Sequence, residues 1–142
     1  MHERSLRYHV LALRAVAPVF LLVALLHLVL GVRADALLGA QVPEALFGEP
    51  SLNSQNRFYG VSFALYGVLL WIGAGDLPRY RRVLAATWWV FLAAGLARVV
   101  SWHLDGAPSA WVIVLTALEL LLPPLMLAWQ RHALGVAGAG SR

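Results

Sequence analysis

The chain contains no cysteine and no lysine, and only 13% of its 142 residues are charged. Without thiols there is no disulfide framework, no thiol nucleophile and no thiolate metal site. A soluble domain carries about 25% charged residues. The shortage here, beside a hydrophobic content of 61%, excludes an ordinary water-soluble globule. Also missing are a Gly-rich phosphate loop, a nucleophile elbow, an HExxH pattern and any internal repeat, so the marks of the common enzyme classes are absent. The net charge of +4 comes from arginines scattered at the ends of apolar runs, which excludes a basic nucleic-acid-binding face. Arginine as the sole cationic residue besides histidine, with abundant Ala, Leu, Gly and Val, reads as the bias of a GC-rich bacterial genome.

What is present is length of apolar sequence. Four runs, residues 15–32, 58–74, 83–102 and 110–129, each approach the roughly 20 residues that cross about 30 Å of hydrocarbon. The pattern predicts an all-α, polytopic membrane four-helix bundle: one domain over residues 1–134, an outer loop over 33–56 and a flexible tail over 135–142. The first run has a longer apolar core than a cleaved signal peptide and is expected to remain. Trp71, Trp88, Trp89 and Trp129 fall toward one side and Trp102 and Trp111 toward the other, as in aromatic belts. Eight arginines (4, 7, 14, 79, 81, 82, 131 and 142) flank one side, against Arg33 and Arg57 near the other interface. Positively charged flanks stay inside, which puts both termini in the cytoplasm and the chain in the bacterial inner membrane. Within the outer loop, Leu37, Leu38, Leu46 and Phe47 are broken by Gly39 and Pro43, predicting one or two short helices over the mouth of the bundle.

The most informative polar residue is Glu119, a lone carboxylate well inside the last apolar run. Such a charge costs at least about 2.5 kcal/mol near mid-membrane, so it is expected to be paired or to line a polar cavity. Arg98 lies eight residues before Gly106 and Glu119 thirteen after it, so the two Cα atoms differ in depth by only roughly 7 Å across one tight turn. Arg57, opening the second run beside Asn56, is a second candidate partner. Arg98, Ser101 and Asp105 share a helix face, and His27 lies in the outer half of the first run. Pro123 and Pro124 remove the donors for the carbonyls of Glu119 and Leu120, weakening that helix beside the carboxylate. His103, Asp105, His27 and Glu119 lack metal-ligand spacing, so neither a metal nor another cofactor is expected.

The order Asn56-Arg57-x-x-Gly60, Arg98-x-x-Ser101, Asp105-Gly106-x-Pro108 and a following membrane Glu119 resembles an uncharacterised family of four-helix bacterial membrane proteins, known only as a domain of unknown function. The likeness covers most of the chain. It implies a four-span bundle in which Arg57, Arg98, Asp105 and Glu119 belong to one pattern, and it implies no activity.

The expected role is therefore binding of a lipid-like or amphipathic molecule in an outward-facing intramembrane pocket. Its candidate residues are Arg57, Arg98, Glu119, Asn56, His27 and Asp105, with the two arginines on an anionic headgroup and residues 34–47 as a lid. A structural subunit of a larger membrane complex, or a homo-oligomer, is the alternative. A membrane enzyme using Glu119 as acid and base is the third reading.

Overall fold

The computed structural model describes residues 2–139, with side-chain surroundings for 3–135. Five α-helices and one 3-10 turn account for almost all of it, and no strand occurs among the described residues. They are α1 (His2–Leu30), α2 (Val32–Leu37), α3 (Pro50–Gly73), α4 (Leu77–Asp105) and α5 (Ala110–Ala139), with the 3-10 turn at Glu44–Leu46. The backbone of α5 thus continues through the first residues of the expected flexible tail, whose residues 140–142 lie outside the described residues.

Local chemistry sets the helix ends. Glu49 caps α3, its carboxylate accepting from the backbone N–H groups of Ser51 at 3.0 Å and Leu52 at 2.5 Å, and Pro50 fills the first position, where no donor is needed. Asp76 caps α4 by accepting from the Arg79 N–H at 3.1 Å. Gly106, at φ 100°, ends α4 in a conformation that favours glycine, and Ser109 then starts α5 by accepting from the Val112 N–H at 3.4 Å.

Among the described residues, three helices are long and apolar enough to cross a membrane: α1 over Glu3–Leu30, α4 over Leu77–Asp105 and α5 over Ala110–Gly135. The sequence predicts four. α3 has 24 residues, ample length, but Asn53, Gln55, Asn56 and Arg57 in its opening turns dilute its apolar content.

α1 packs along α3, α3 meets α4, α4 packs along α5, and α5 returns to α1. Small residues allow the close approaches. Gly60 and Gly67 of α3 lie against the backbone carbonyls of Ala24 and Ala17 in α1, where an added methyl would come within 3.0 and 2.9 Å. At the end holding the N-terminus, Leu13, Leu70, Leu84, Trp88 and Met126 fill the core. Trp88 is therefore no belt residue: only 1% of it is exposed, because it points inward from α4, whereas Trp71, Trp89, Trp102 and Trp111 face outward. Trp129 is half-buried and donates to the Ser5 hydroxyl at 3.2 Å, tying the far end of α5 to the start of α1.

Candidate functional site

Toward the opposite end the packing opens into a cavity of about 540 Å³ between α1, α3, α4 and α5, roofed by Asp35, Leu38 and Ala40. Its inner wall is aromatic: Phe20 stacks on Tyr66 at 5.4 Å, and Phe91 meets both rings at 5.1 and 5.8 Å. Besides Tyr59 and Tyr66, the acidic and basic side chains His27, Asp35, Arg98 and Glu119 line the same space.

Arg98 donates from Nε to Glu119 Oε2 at 2.7 Å. This is the depth match expected across the Asp105–Pro108 turn, because both helices start from that turn and rise at the same rate. The carboxylate is almost fully buried while the arginine side chain is 38% exposed, so the guanidinium spans from the buried acid toward the more open side. Gly95 makes room for the pair: α4 lies against the Glu119 side chain there.

A second pair was not foreseen. His27 sits in the last turn of α1, and α1 breaks at Gly31, whose φ of 58° and ψ of −133° swing α2 back over the cavity. Asp35 on α2 thereby approaches His27 Nε2 at 3.3 Å, while His27 Nδ1 donates to the Val23 carbonyl at 2.8 Å. Both ring nitrogens thus face oxygen acceptors. Asn56, buried on α3, donates from Nδ2 to the other Asp35 oxygen.

The Gly31 break interrupts the helical hydrogen bonding, and for the bond from Val32 N–H to the Leu28 carbonyl α3 supplies a partner to each half. Asn53 Oδ1 accepts from the Val32 N–H at 3.1 Å, and Arg57 Nε donates to the Leu28 carbonyl at 3.2 Å. Asn53 and Arg57 are one turn apart on one face of α3, which is why they reach the two ends of the broken bond.

The expected site residues therefore divide. His27, Arg98 and Glu119 share the cavity, and Asn56 supports it through Asp35. Arg57 lies outside the cavity and is bonded to neither Glu119 nor any group beside Arg98, because its face of α3 turns toward the end of α1. Asp105 also lies outside: it is exposed and accepts from the Ser101 hydroxyl at 2.7 Å. His103 is exposed, and among the described residues no three His, Asp or Glu side chains converge as a metal site would require. Of residues 34–47, Asp35, Leu38 and Ala40 line the cavity, and the Ser109 hydroxyl donates to the Gly39 carbonyl at 2.6 Å. The residues that sequence reasoning missed are Asp35, Tyr66 and Gly95. An acid eight residues beyond a membrane histidine, with a glycine between, was the available signal for Asp35.

A family model described as a domain of unknown function (DUF4345) matches residues 9–130. No curated protein and no solved structure matches the chain.

Proposed function

Since the chain belongs to this family of unknown function, its role has to be carried by its own geometry, and we propose that it is a membrane binding protein for one uncharged amphipathic molecule. The observation that carries this is the cavity: mostly apolar walls, with Arg98, Glu119 and Asp35 each already meeting a partner side chain. Its volume of about 540 Å³ falls in the range of roughly 300–1,000 Å³ typical of small-molecule sites. Arg98 is met by Glu119, and Asp35 by His27 and Asn56, so an ionic headgroup would have to displace an existing partner. A neutral head such as an alcohol, carbonyl or amide finds unspent capacity instead: the terminal nitrogens of Arg98, the second oxygen of Glu119 and the Tyr66 hydroxyl, while its chain lies on Phe20 and Phe91.

In this reading α3 is the fourth span, its polar first turns lying at the membrane surface. The arginine asymmetry supports termini in the cytoplasm and a mouth facing outward across a bacterial inner membrane. α2 and residues 38–47 form the lid.

The test uses three ligands of one chain length on the protein in mild detergent. Dodecanol should raise the unfolding midpoint more than laurate or dodecylamine, and Ala94→Trp, which fills the cavity from α4, should abolish that rise. Preference for laurate would sink the uncharged-ligand reading. No response to any of the three, with a stoichiometric membrane partner copurifying, would move the role to a structural subunit.

A further inference from the structure

The two arginines that the cavity leaves out mark a separate place on the molecule. Arg33 of α2 and Arg57 of α3 line one surface cleft of about 630 Å³, with Val29, Leu30 and Phe47 as its apolar wall and Ser54 beside them. The Arg33 guanidinium lies 5.5 Å from the centre of the Phe47 ring, which holds the charge in place without neutralising it. Arg57 spends Nε on the Leu28 carbonyl, leaving its two terminal nitrogens free. Neither arginine has a carboxylate within ion-pair distance: among the described residues the ion pairs are His27 with Asp35 and Arg98 with Glu119. Of the neighbouring acids, Asp35 meets His27 and Asn56, Glu49 caps α3, and Glu44 lines the adjoining hollow beyond Arg33 and Phe47.

Two unpaired guanidinium groups above an apolar wall match one chemistry. Guanidinium forks take phosphate oxygens in pairs, and arginine is the residue suited to that geometry. Below them Val29, 64% exposed, continues into the outward apolar face of α1, where an acyl chain would run.

We propose that this cleft binds the phosphate of an anionic phospholipid, Arg33 and Arg57 holding the phosphate oxygens and the Ser54 hydroxyl donating beside them, with the first part of one acyl chain along Val29 and Leu30. The proposal needs the membrane placement described above and is independent of what the cavity holds.

The experiment places the full chain in nanodiscs of phosphatidylcholine with a minor fraction of phosphatidylglycerol and reads retained lipid by native mass spectrometry. The wild type should retain phosphatidylglycerol selectively, more weakly at high salt. A charge at the membrane surface is worth about fivefold in binding, so Arg33→Gln should weaken retention about fivefold, Arg33→Gln with Arg57→Gln about 25-fold, and Arg33→Lys far less. Arg33 makes no hydrogen bond that holds the fold, so Arg33→Gln carries the test even if the double variant fails to assemble. Equal retention of both lipids by the wild type, or unchanged selectivity in Arg33→Gln, would overturn the site. Equal protection by inorganic phosphate alone would overturn the lipid assignment. A dodecanol response unchanged in Arg33→Gln would keep this outcome separate from that of the cavity.

Discussion

Gly95 of α4 touches Glu119 of α5 so closely that a methyl group added at Gly95 would lie 2.9 Å from the Glu119 Cβ and 3.1 Å from its carbonyl carbon. The second of these is backbone, which cannot swing aside, so α4 and α5 would have to separate. Overpacking of this kind costs about 1–3 kcal/mol. Gly95→Ala is therefore expected to lower stability by that amount, measured as denaturant unfolding in one detergent. A change under about 0.5 kcal/mol, the scale of neutral surface changes, would mean that the contact does not hold the helices together.

Removing Arg98 has a different consequence from removing the charge of Glu119. Arg98→Leu leaves a buried carboxylate with no donor, a loss of about 1–3 kcal/mol after allowing for the exposure of the arginine. Glu119→Gln keeps an acceptor for Arg98 Nε and should cost less. If the two act as a unit, the double variant falls short of the sum of the single ones by at least about 0.5 kcal/mol. Strict additivity in unfolding measurements would show the two groups to be energetically independent.

Much of this was legible because apolar runs and short turns leave few choices. The four long helices follow from the runs, and the pairing of Arg98 with Glu119 follows from counting rise away from one tight turn. What sequence could not supply was direction around a helix axis. Arg57 and Asn56 are neighbours on α3, yet Asn56 points to Asp35 and Arg57 to the Leu28 carbonyl, and only the packing of α3 on α1 decides which goes where. Trp88 differs from the belt expectation for the same reason, since a tryptophan a few residues inside an apolar run suits a belt or a core equally. The meeting of His27 and Asp35 depends on the backbone angles of Gly31, which no hydrophobic pattern records.

The broken turn at Gly31 makes its own prediction. Asn53→Ala removes the acceptor of the Val32 N–H and the donor to the Phe47 and Glu49 carbonyls, at a cost of about 1–3 kcal/mol for the buried groups left unpaired. Gly31→Ala is worse on two counts, because its methyl would meet Asn53 Oδ1 and because φ of 58° is unfavourable for alanine. Combining the two substitutions relieves the clash but not the backbone strain. The double variant should therefore be less stable than Asn53→Ala alone; equal stability would show the strain to be negligible.

Glu49 supplies a pH dependence of defined sign. Its carboxylate accepts from the Leu52 and Ser51 N–H groups, and these bonds hold its pKa below the ordinary 4.5. A depressed pKa in the folded chain means that the stabilisation is complete above 4.5 and is lost as pH falls below it through the folded value. The midpoint of unfolding should thus drop between pH 5 and strongly acidic conditions more steeply in the wild type than in Glu49→Gln. Parallel curves would remove Glu49 from the acid response.

The end of the molecule that holds the N-terminus has a buried polar group with no hydrogen-bond partner among the described residues. His9 is fully buried, its ring set edge-on to Trp129 at 5.1 Å, and neither ring nitrogen has a hydrogen-bond partner among the described residues. An unsatisfied buried donor and acceptor cost about 1–3 kcal/mol, whereas an apolar side chain of similar size at the same place carries no such penalty. His9→Leu is therefore expected to leave stability unchanged or to raise it by about 1 kcal/mol, read as the unfolding midpoint in detergent. Destabilisation beyond the loss of one aromatic contact would instead assign His9 a polar partner, and Gln130, whose Oε1 is likewise buried and unpaired, is the residue to replace next.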